Sequence, residues 1–222
     1  MATIRDLVPA WVGKPIFRLL NSLLGHVRTA QSAAIPKVEL TEEHLRGTEV
    51  VLDRRTFLER LPKGGRIAEV GVASGDLSAM ILDVSRPSEL WLIDCWESAR
   101  YSAGQARVRE RFAGPLASGQ VRIEVGLSTE VLPRLPEKYF DLIYIDTDHS
   151  YLTTKRELEL AASRVKPGGT IAGHDYVTGN WNGGVRYGVV EAVHEFCVVH
   201  RWRLVLLTSE TDRHLSFAIR AI

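Results

Sequence analysis

The chain has 222 residues, of which 45% are hydrophobic and 25% charged, and these proportions exclude a disordered, collagenous or fibrous protein. The formal net charge of +1 at pH 7 gives no overall electrostatic attraction to nucleic acid or to an anionic membrane. The two cysteines, Cys95 and Cys197, form no CxxC motif, so they indicate reduced thiols of a cytosolic protein and exclude a zinc cluster or a disulfide framework.

The first predicted elements are helices in an N-terminal extension, residues 1–59. Apolar side chains recur at steps of three and four over residues 16–27, as one face of a helix requires. A second helix is predicted over residues 41–61, where Thr41 suits the N-cap position. We interpret the first helix as a lid or a dimer contact, and therefore expect a homo-oligomer built through the N-terminal helices. Binding to a membrane surface is the alternative.

The sequence shows no membrane-spanning segment. No stretch approaches the ~20 apolar residues that a helix needs to cross a bilayer. The N-terminus has no apolar stretch followed by a small-residue cleavage site, as a secretory signal would have. We therefore expect a cytoplasmic protein with no membrane partner.

From residue 60 onward, short apolar runs alternate with amphipathic stretches. The predicted strands are residues 66–72, 89–94, 121–126, 140–146, 170–175, 203–208 and 214–220. Strands that alternate with helices predict an α/β domain with a doubly wound, mostly parallel, seven-stranded sheet of the Rossmann-like kind. The last two strands are joined by only a few residues, so they form a hairpin that places a terminal antiparallel strand at the end of the sheet.

A glycine-containing turn lies between the first strand of this domain and the helix that follows. Its sequence is EVGVASGD (69–76), in which Gly71 and Gly75 allow the backbone to turn tightly or to approach a ligand. The spacing differs from the G-x-G-x-x-G dinucleotide motif, and the absence of a following GK[ST] excludes a P-loop. On its own, the turn is more typical of a structural role than of a functional one.

Asp94 gives the glycine turn a functional interpretation. It ends the neighbouring predicted strand, 19 positions after Gly75, where a carboxylate can accept hydrogen bonds from both hydroxyls of a ribose. The third glycine of the dinucleotide motif is missing. The combination therefore predicts a nucleoside cofactor that lacks a pyrophosphate.

Acidic and imidazole side chains follow two further strands, in the segments IDTDHSY (145–151) and GHDY (173–176). The side chains concerned are Asp146, Asp148, His149, His174 and Asp175. Because adjacent strand ends converge on one crevice, we expect these groups to lie together and to fit a divalent metal ion and a general base. The alternatives are carboxylates that only cap the following helices, or an Fe(II) site of the oxygenase kind.

These motifs resemble the class I S-adenosylmethionine-dependent methyltransferases, and more narrowly the metal-dependent O-methyltransferases that modify sugars and other natural-product hydroxyls. The resemblance covers residues 60–222, and residues 1–59 match no family. It rests on EVGVASGD, LWLIDCWE, GLSTEVL, FDLIYIDTDHSY, VKPGGTIAGHDY and the terminal strand pair. The IDTDHSY and GHDY segments, in this order on successive strands, are the most specific of these.

The resemblance implies that S-adenosylmethionine is the cofactor, and it assigns residues to each part of that molecule. The residues are Glu69, Gly71 and Gly75 for the methionine and ribose part, Asp94 with the neighbouring Trp96 for the ribose hydroxyls, and Ser128 for the surroundings of the adenine.

The resemblance also implies a divalent metal ion, Mg²⁺ or Mn²⁺, and a general base. Asp146 would be the first metal ligand, Asp175 the second, and His149 the base. Relatives often carry an acidic residue where this chain has His174, which is a further candidate ligand. Mg²⁺ prefers oxygen ligands, which leaves two options. Either His174 contacts the ligands of a Mg²⁺ ion and not the ion itself, or the site favours a softer metal ion such as Mn²⁺.

The implied function is transfer of a methyl group to a hydroxyl of a small molecule, a sugar or a glycosylated natural product, with no nucleic-acid partner. The glycine-rich loop at residues 176–188 is expected to reach over this acceptor. Three alternatives stay open: a methyltransferase that acts on a catechol or an amine, a non-haem metal oxygenase, and a non-catalytic cofactor-binding protein.

Overall fold

The structure is a computed structural model that describes residues 32–97, 101–180, 185–210 and 214–222, with residues 22, 25 and 29. The chain divides into two compact units, residues 1–36 and 37–222. Apart from Ser22 and Gly25, the helix predicted over residues 16–27 lies outside the described residues, so its role as a lid or dimer contact stays a prediction. Across the described segments, no helix combines the length and the hydropathy needed to cross a bilayer.

The second unit alternates strands and helices. Its strands are β1 (Glu49–Val51), β2 (Arg66–Val70), β3 (Glu89–Asp94), β4 (Val121–Val125), β5 (Phe140–Ile145), β6 (Val165–Gly173), β7 (Gly179–Asn180), β8 (Val185–Arg186), β9 (Trp202–Thr208) and β10 (Phe217–Ala221). Its helices are α1 (Glu42–Leu45), α2 (Arg54–Arg60), α3 (Asp76–Val84), α4 (Gly104–Arg111), α5 (Ala113–Ala117), α6 (Ser128–Val131), α7 (Tyr151–Arg164) and α8 (Val189–His200), and a 3₁₀ turn (Leu132–Arg134) follows α6.

Eight of these strands form one sheet in the order β1-β9-β10-β6-β5-β2-β3-β4, and β7 pairs only with β8. Every neighbouring pair is parallel except the two pairs made by β10, which runs antiparallel to β6 and to β9. The mostly parallel sheet with an antiparallel last strand is confirmed. The prediction of seven strands is wrong because β1 adds an eighth, and the antiparallel strand lies inside the sheet and not at its edge.

The eighth strand comes from residues 41–61, for which the sequence predicted a single helix. Gly47 takes a left-handed conformation with φ +78° and ends the helical turn of α1. The chain then extends as β1 along the edge of β9. Asp53 begins α2 by accepting a 2.8 Å hydrogen bond from the amide of Thr56. The prediction of one helix is therefore wrong, and residues 37–59 contribute a strand to the sheet.

Helices cover both faces of the sheet. Along β5, Leu142 and Tyr144 pack with buried side chains of α2 and α3, whereas Ile143 and Ile145 pack with those of α7 and α8. This alternation of buried side chains is what a strand between two apolar layers requires. The doubly wound arrangement is therefore confirmed.

The carboxyl ends of β2, β3, β5 and β6 lie at the same edge of the sheet, because these strands are parallel. Backbone pairing continues one residue past three of the strands. The amides of Gly71, Asp146 and His174 donate to carbonyls at the ends of β3, β2 and β5, over 2.8, 2.7 and 3.0 Å. The loops that carry the predicted site residues therefore leave the sheet side by side.

Phe57 tests whether α2 belongs to the core of this unit. Its side chain is 0% exposed and packs edge to face on Tyr144, with the ring centroids 6.4 Å apart. Phe57→Ala is expected to lower the free energy of unfolding by about 3–5 kcal/mol, because it leaves a cavity. In thermal unfolding followed by circular dichroism, Tm should fall by roughly 6–20 °C. Leu52→Ala is the control, since Leu52 is 72% exposed, and an equal loss in both variants would contradict the packing of α2.

Candidate active site

A cavity of 480 Å³ opens at the edge where the parallel strands end. Its walls are the loops after β2, β3, β4 and β5, together with Arg54 from α2. The predicted site residues that line it are Glu69, Gly71, Asp94, Trp96, Ser128, Asp146 and His149. The structure thus brings most of the predicted residues to one cavity, whereas Gly75, His174 and Asp175 are not part of its lining.

The two glycines of the turn have different structural roles. At Gly71, φ is +90°, and a Cβ atom would lie 1.9 Å from the backbone oxygen of Asp146, so the turn passes directly against the end of β5. At Gly75, φ is +81° and a Cβ atom would meet the ring of Phe112 at 2.8 Å. Gly75 is thus required at the N-cap of α3 for packing against the segment between α4 and α5.

Asp94 ties the glycine turn to the end of β3. Its Oδ2 accepts hydrogen bonds from the amides of Val72 (2.8 Å) and Ala73 (2.9 Å), and its Oδ1 accepts one from the amide of Trp96 (2.8 Å). The indole Nε1 of Trp96 donates to the carbonyl of Ala73 over 2.8 Å. Asp94 and Trp96 therefore shape the cavity wall, and the ribose contact expected of Asp94 stays a prediction.

Glu69 is a buried acid that lines the cavity, with 1% of its surface exposed. Its Oε2 accepts a 2.5 Å hydrogen bond from the hydroxyl of Ser78, whereas its Oε1 is buried without a hydrogen-bond partner among the described residues. Burial raises the pKa of Glu69 to about 8, against the opposing hydrogen bond from Ser78. A ligand that donates a hydrogen bond or carries positive charge would satisfy this oxygen.

Asp175 is the centre of an imidazole cluster beside the cavity. Its Oδ2 lies 3.0 Å from Nε2 of His149 and 3.4 Å from Nδ1 of His174, and its Oδ1 contacts Nδ1 of His214. Burial alone would raise the pKa of Asp175, but its contacts with His149 and His174 hold that pKa far below its usual range. Asp175 is therefore an ionised carboxylate that receives three imidazole contacts.

His149, the predicted base, is oriented by this carboxylate. Burial alone would lower the pKa of its imidazole, but the hydrogen bond and charge of Asp175, with the charges of Asp146 and Asp148, raise it above its usual value. The ring of Tyr187 lies 4.8 Å from the ring of His149, centroid to centroid. The predicted loop at residues 176–188 therefore does reach His149, although its residues 181–184 lie outside the part of the chain that the structure describes.

Asp146, His149 and Asp175 could hold a metal ion, since one ligand atom from each lies within 4.8 Å of the others. Two carboxylates and one imidazole suit a divalent ion of the Mn²⁺ kind, and the carboxylates alone suit Mg²⁺. The predicted ligand His174 lies slightly apart, with its Nδ1 3.8 Å from Asp146 and its Nε2 against the guanidinium of Arg54. The donor set therefore fits a metal ion, and its imidazole is that of His149 and not that of His174.

Three residues at or near this site were missed by the sequence analysis. Arg54 lay in the segment predicted as one long helix, and His214 was the first residue of the last predicted strand, 214–220. Glu157 is fully buried on α7, where the hydroxyl of Thr147 donates to it over 2.9 Å and burial raises its pKa to about 7. Only the position of His214 had a signal: β9 and β6 are parallel, so the hairpin after β9 lies at the edge that carries the site.

The raised pKa of Glu69 makes stability depend on pH. The pKa of Glu69 is about 8 in the folded protein, against an ordinary value of 4.5. The contribution of Glu69 to the free energy of unfolding is therefore fully present at acid pH, and it is lost as pH rises through about 8. Between about pH 5 and about pH 9, the wild type should lose on the order of a few kcal/mol relative to Glu69→Gln in urea unfolding. Glu59→Gln, at an exposed position, should track the wild type. If the free energies of unfolding of the wild type and of Glu69→Gln changed with pH in the same way, the raised pKa of Glu69 would be contradicted.

The chain is similar to known methyltransferases. Residues 68–176 match the sequence model of a family described as a methyltransferase domain. No curated protein is significantly similar to the chain in sequence. An rRNA methylase from Streptococcus thermophilus shares the fold with a TM-score of 0.55 and 12% identity, over 76% of this chain and 93% of that chain.

Two further solved structures share this fold. SMU.1697c from Streptococcus mutans, in complex with SAH, has a TM-score of 0.55 and 14% identity over 76% of this chain and 95% of that chain. An O-methyltransferase family protein from Burkholderia thailandensis has a TM-score of 0.56 and 9% identity over 75% of this chain and 55% of that chain. Residues 68–176 therefore match the model of a methyltransferase domain, and the fold of this chain is the one that these three structures share.

Proposed function

We propose that this protein transfers a methyl group from S-adenosylmethionine to a hydroxyl group of a small molecule. The methyltransferase domain supports the reaction type, and the cavity beside the glycine turn supports the place of the cofactor. The cavity lining carries six carboxyl groups and one guanidinium, an excess of acidic groups that suits the positive charge of a sulfonium group. Bound S-adenosylhomocysteine in a protein of the same fold agrees with this proposal.

The hydrogen bond between His149 and Asp175 is the observation that favours a hydroxyl acceptor. An alcohol is a poor nucleophile at neutral pH, so transfer is faster when a base removes its proton as the methyl group arrives. Asp175 holds Nε2 of His149 at 3.0 Å and would stabilise the imidazolium that forms. The other ring nitrogen, Nδ1, is then the atom that takes the proton.

The proposal includes a divalent metal ion held by Asp146 and Asp175. When bound there, such an ion would lower the pKa of the acceptor hydroxyl. His174 also holds Asp175 in place, since its Nδ1 lies 3.4 Å from the same carboxylate oxygen that contacts His149. Two carboxylates suit Mg²⁺ or Mn²⁺.

The proposed acceptor is a sugar or a glycosylated natural product. The resemblance of the IDTDHSY and GHDY segments to sugar-modifying O-methyltransferases supports this choice. The loop that carries Tyr187 supports it as well, because that ring stands 4.8 Å from His149, where an acceptor would have to lie. Methyl transfer only to a catechol or to an amine, or transfer to no acceptor at all, would contradict the proposal of a sugar acceptor.

Binding of S-adenosylhomocysteine tests the cofactor. At 100 times its Kd, a ligand stabilises the folded state by about 2.7 kcal/mol, which should raise Tm by roughly 5–10 °C in a thermal-unfolding scan. Asp94→Asn should lose most of this rise, because it weakens the loop that forms the cavity wall and removes the charge beside the ribose. The matched control is Asp83→Asn on the exposed side of α3, where the aspartate is 63% exposed.

The same scan tests the metal ion. Mn²⁺ or Mg²⁺ should raise Tm further in the wild type and not in Asp146→Asn. If saturating S-adenosylhomocysteine does not raise the Tm of the wild type, the proposed cofactor is refuted. If it raises Tm but no metal ion raises Tm further, only the metal ion is refuted.

Loss of His149 tests the chemistry. His149→Gln should lower the rate of methyl transfer from labelled S-adenosylmethionine by about 10²–10⁴-fold, since a general base contributes that much. The acceptors are a panel of sugars, glycosides, catechols and amines. Binding of S-adenosylhomocysteine should persist, which separates lost chemistry from lost folding.

His200→Gln is the control for this substitution, because His200 is an exposed histidine at the end of α8. Full activity in His149→Gln would exclude His149 as the base. Transfer to amines alone would exclude the hydroxyl acceptor.

A further inference from the structure

Arg54 is the only lysine or arginine among the described residues that line the cavity. The other acidic and basic groups of the lining are the imidazole of His149 and six carboxyl groups, on Glu69, Asp76, Asp94, Glu97, Asp146 and Asp148. Ionised carboxylates repel an anionic group that enters this cavity, whereas Arg54, as the one permanently charged cation of the described lining, attracts it.

Arg54 has no carboxylate partner in the described part of the chain. Its guanidinium contacts Nε2 of His174, and its Nε is buried without a hydrogen-bond partner there. A buried, permanently charged donor in this condition costs free energy unless a ligand satisfies it. The side chain is therefore poised to bind an acceptor group from outside the protein, and a carboxylate offers two oxygens for its fork of N–H groups.

The position of Arg54 indicates which end of the cofactor it faces. The guanidinium of Arg54 contacts His174, whose Nδ1 lies 3.8 Å from Asp146, so the guanidinium lies near the ends of β5 and β6. Asp94, where the ribose is expected, lies at the end of β3 on the other side of β2. The two ends of the cavity are thus about two strand spacings apart, roughly 10 Å.

S-adenosylmethionine is an elongated molecule with the ribose in the middle and an amino acid at one end. With the ribose near Asp94, the amino-acid end extends towards Arg54. Its sulfonium and ammonium groups are positive and suit the acidic lining, whereas its carboxylate is its only anionic group. We propose, resting on the proposed function, that Arg54 binds the methionine carboxylate of S-adenosylmethionine.

The fold delivers Arg54 to this place from outside the matched methyltransferase segment, residues 68–176. It is the first residue of α2, directly after the N-cap Asp53. Phe57 and Leu58 of the same helix are fully buried in the core, which fixes the start of the helix against the cavity. The carboxylate site is thus built by the segment for which the sequence predicted one continuous helix.

Decarboxylated S-adenosylmethionine is the probe that isolates this contact, because it lacks only the carboxylate. Calorimetry measures its Kd and that of S-adenosylmethionine on the full chain of the wild type and of Arg54→Ala. In Arg54→Ala, S-adenosylmethionine should bind about 10–100-fold more weakly, the usual effect of losing a charged hydrogen bond. The affinity of the decarboxylated probe should change much less, and Arg54→Lys should recover part of the loss.

Arg55→Ala is the matched control, since Arg55 is the next residue and its exposed side chain pairs with Asp83 at 2.9 Å. Both ligands should bind this variant as they bind the wild type. An equal loss of both ligands in Arg54→Ala would overturn the proposal, because the residue would then act through folding.

Unchanged binding of both ligands in Arg54→Ala, with a raised KM for the acceptor, would overturn it as well, because the carboxylate would belong to the acceptor. Failure of the wild type to bind either ligand would instead refute the proposed function itself, and this inference with it.

Discussion

Three backbone hydrogen bonds beyond the strand ends hold the geometry of this site. They join the amides of Gly71, Asp146 and His174 to the neighbouring strands and keep the loops after β2, β5 and β6 in line. The alignment brings the glycine turn so close to β5 that a Cβ atom at Gly71 would lie 1.9 Å from the oxygen of Asp146. Main-chain atoms therefore set the distance between the cavity and the imidazole cluster around Asp175, and side-chain rearrangement cannot change it.

The site also concentrates backbone strain and buried charge. Seven non-glycine residues in the described part of the chain have positive φ, and four of them are Ala73, Trp96, His149 and Asp175. Each such conformation costs about 1–2 kcal/mol for a residue with a Cβ atom, so the surroundings must stabilise it. The carboxylates do so directly: Asp94 holds the amides of the glycine turn and Trp96, and Asp175 holds the imidazole of His149. Stability and function thus depend on the same two charges.

The sequence predicted the strand ends well and the flanking segments poorly. Apolar runs followed by glycine or aspartate located β2, β3 and β5, because a buried parallel strand needs such a run and its ligand loop begins where the run stops. The prediction over residues 41–61 was wrong because it rested on a capped helix start at Thr41, whereas Gly47 and Asp53 are the stop and start signals that divide this segment. Arg54 was therefore placed on a distant helix and not at the cavity.

His214 could not be predicted from the sequence for a different reason. Nothing in its neighbouring sequence marks it, and only the order of strands in the sheet brings the turn after β9 to Asp175. Three residues next to the imidazole cluster around Asp175 come from segments outside residues 68–176. They are Arg54, which contacts His174, Tyr187, whose ring faces His149, and His214, which contacts Asp175. The matched methyltransferase segment supplies the glycine turn, Asp94 and the three side chains that could hold a metal ion. The segments on either side of it supply the cation and the aromatic ring next to that group. The backbone hydrogen bonds of Gly71, Asp146 and His174 align the loops, and substitutions in the flanking segments leave those bonds in place. A protein of this fold can therefore most easily come to bind a different acceptor through changes in these flanking segments.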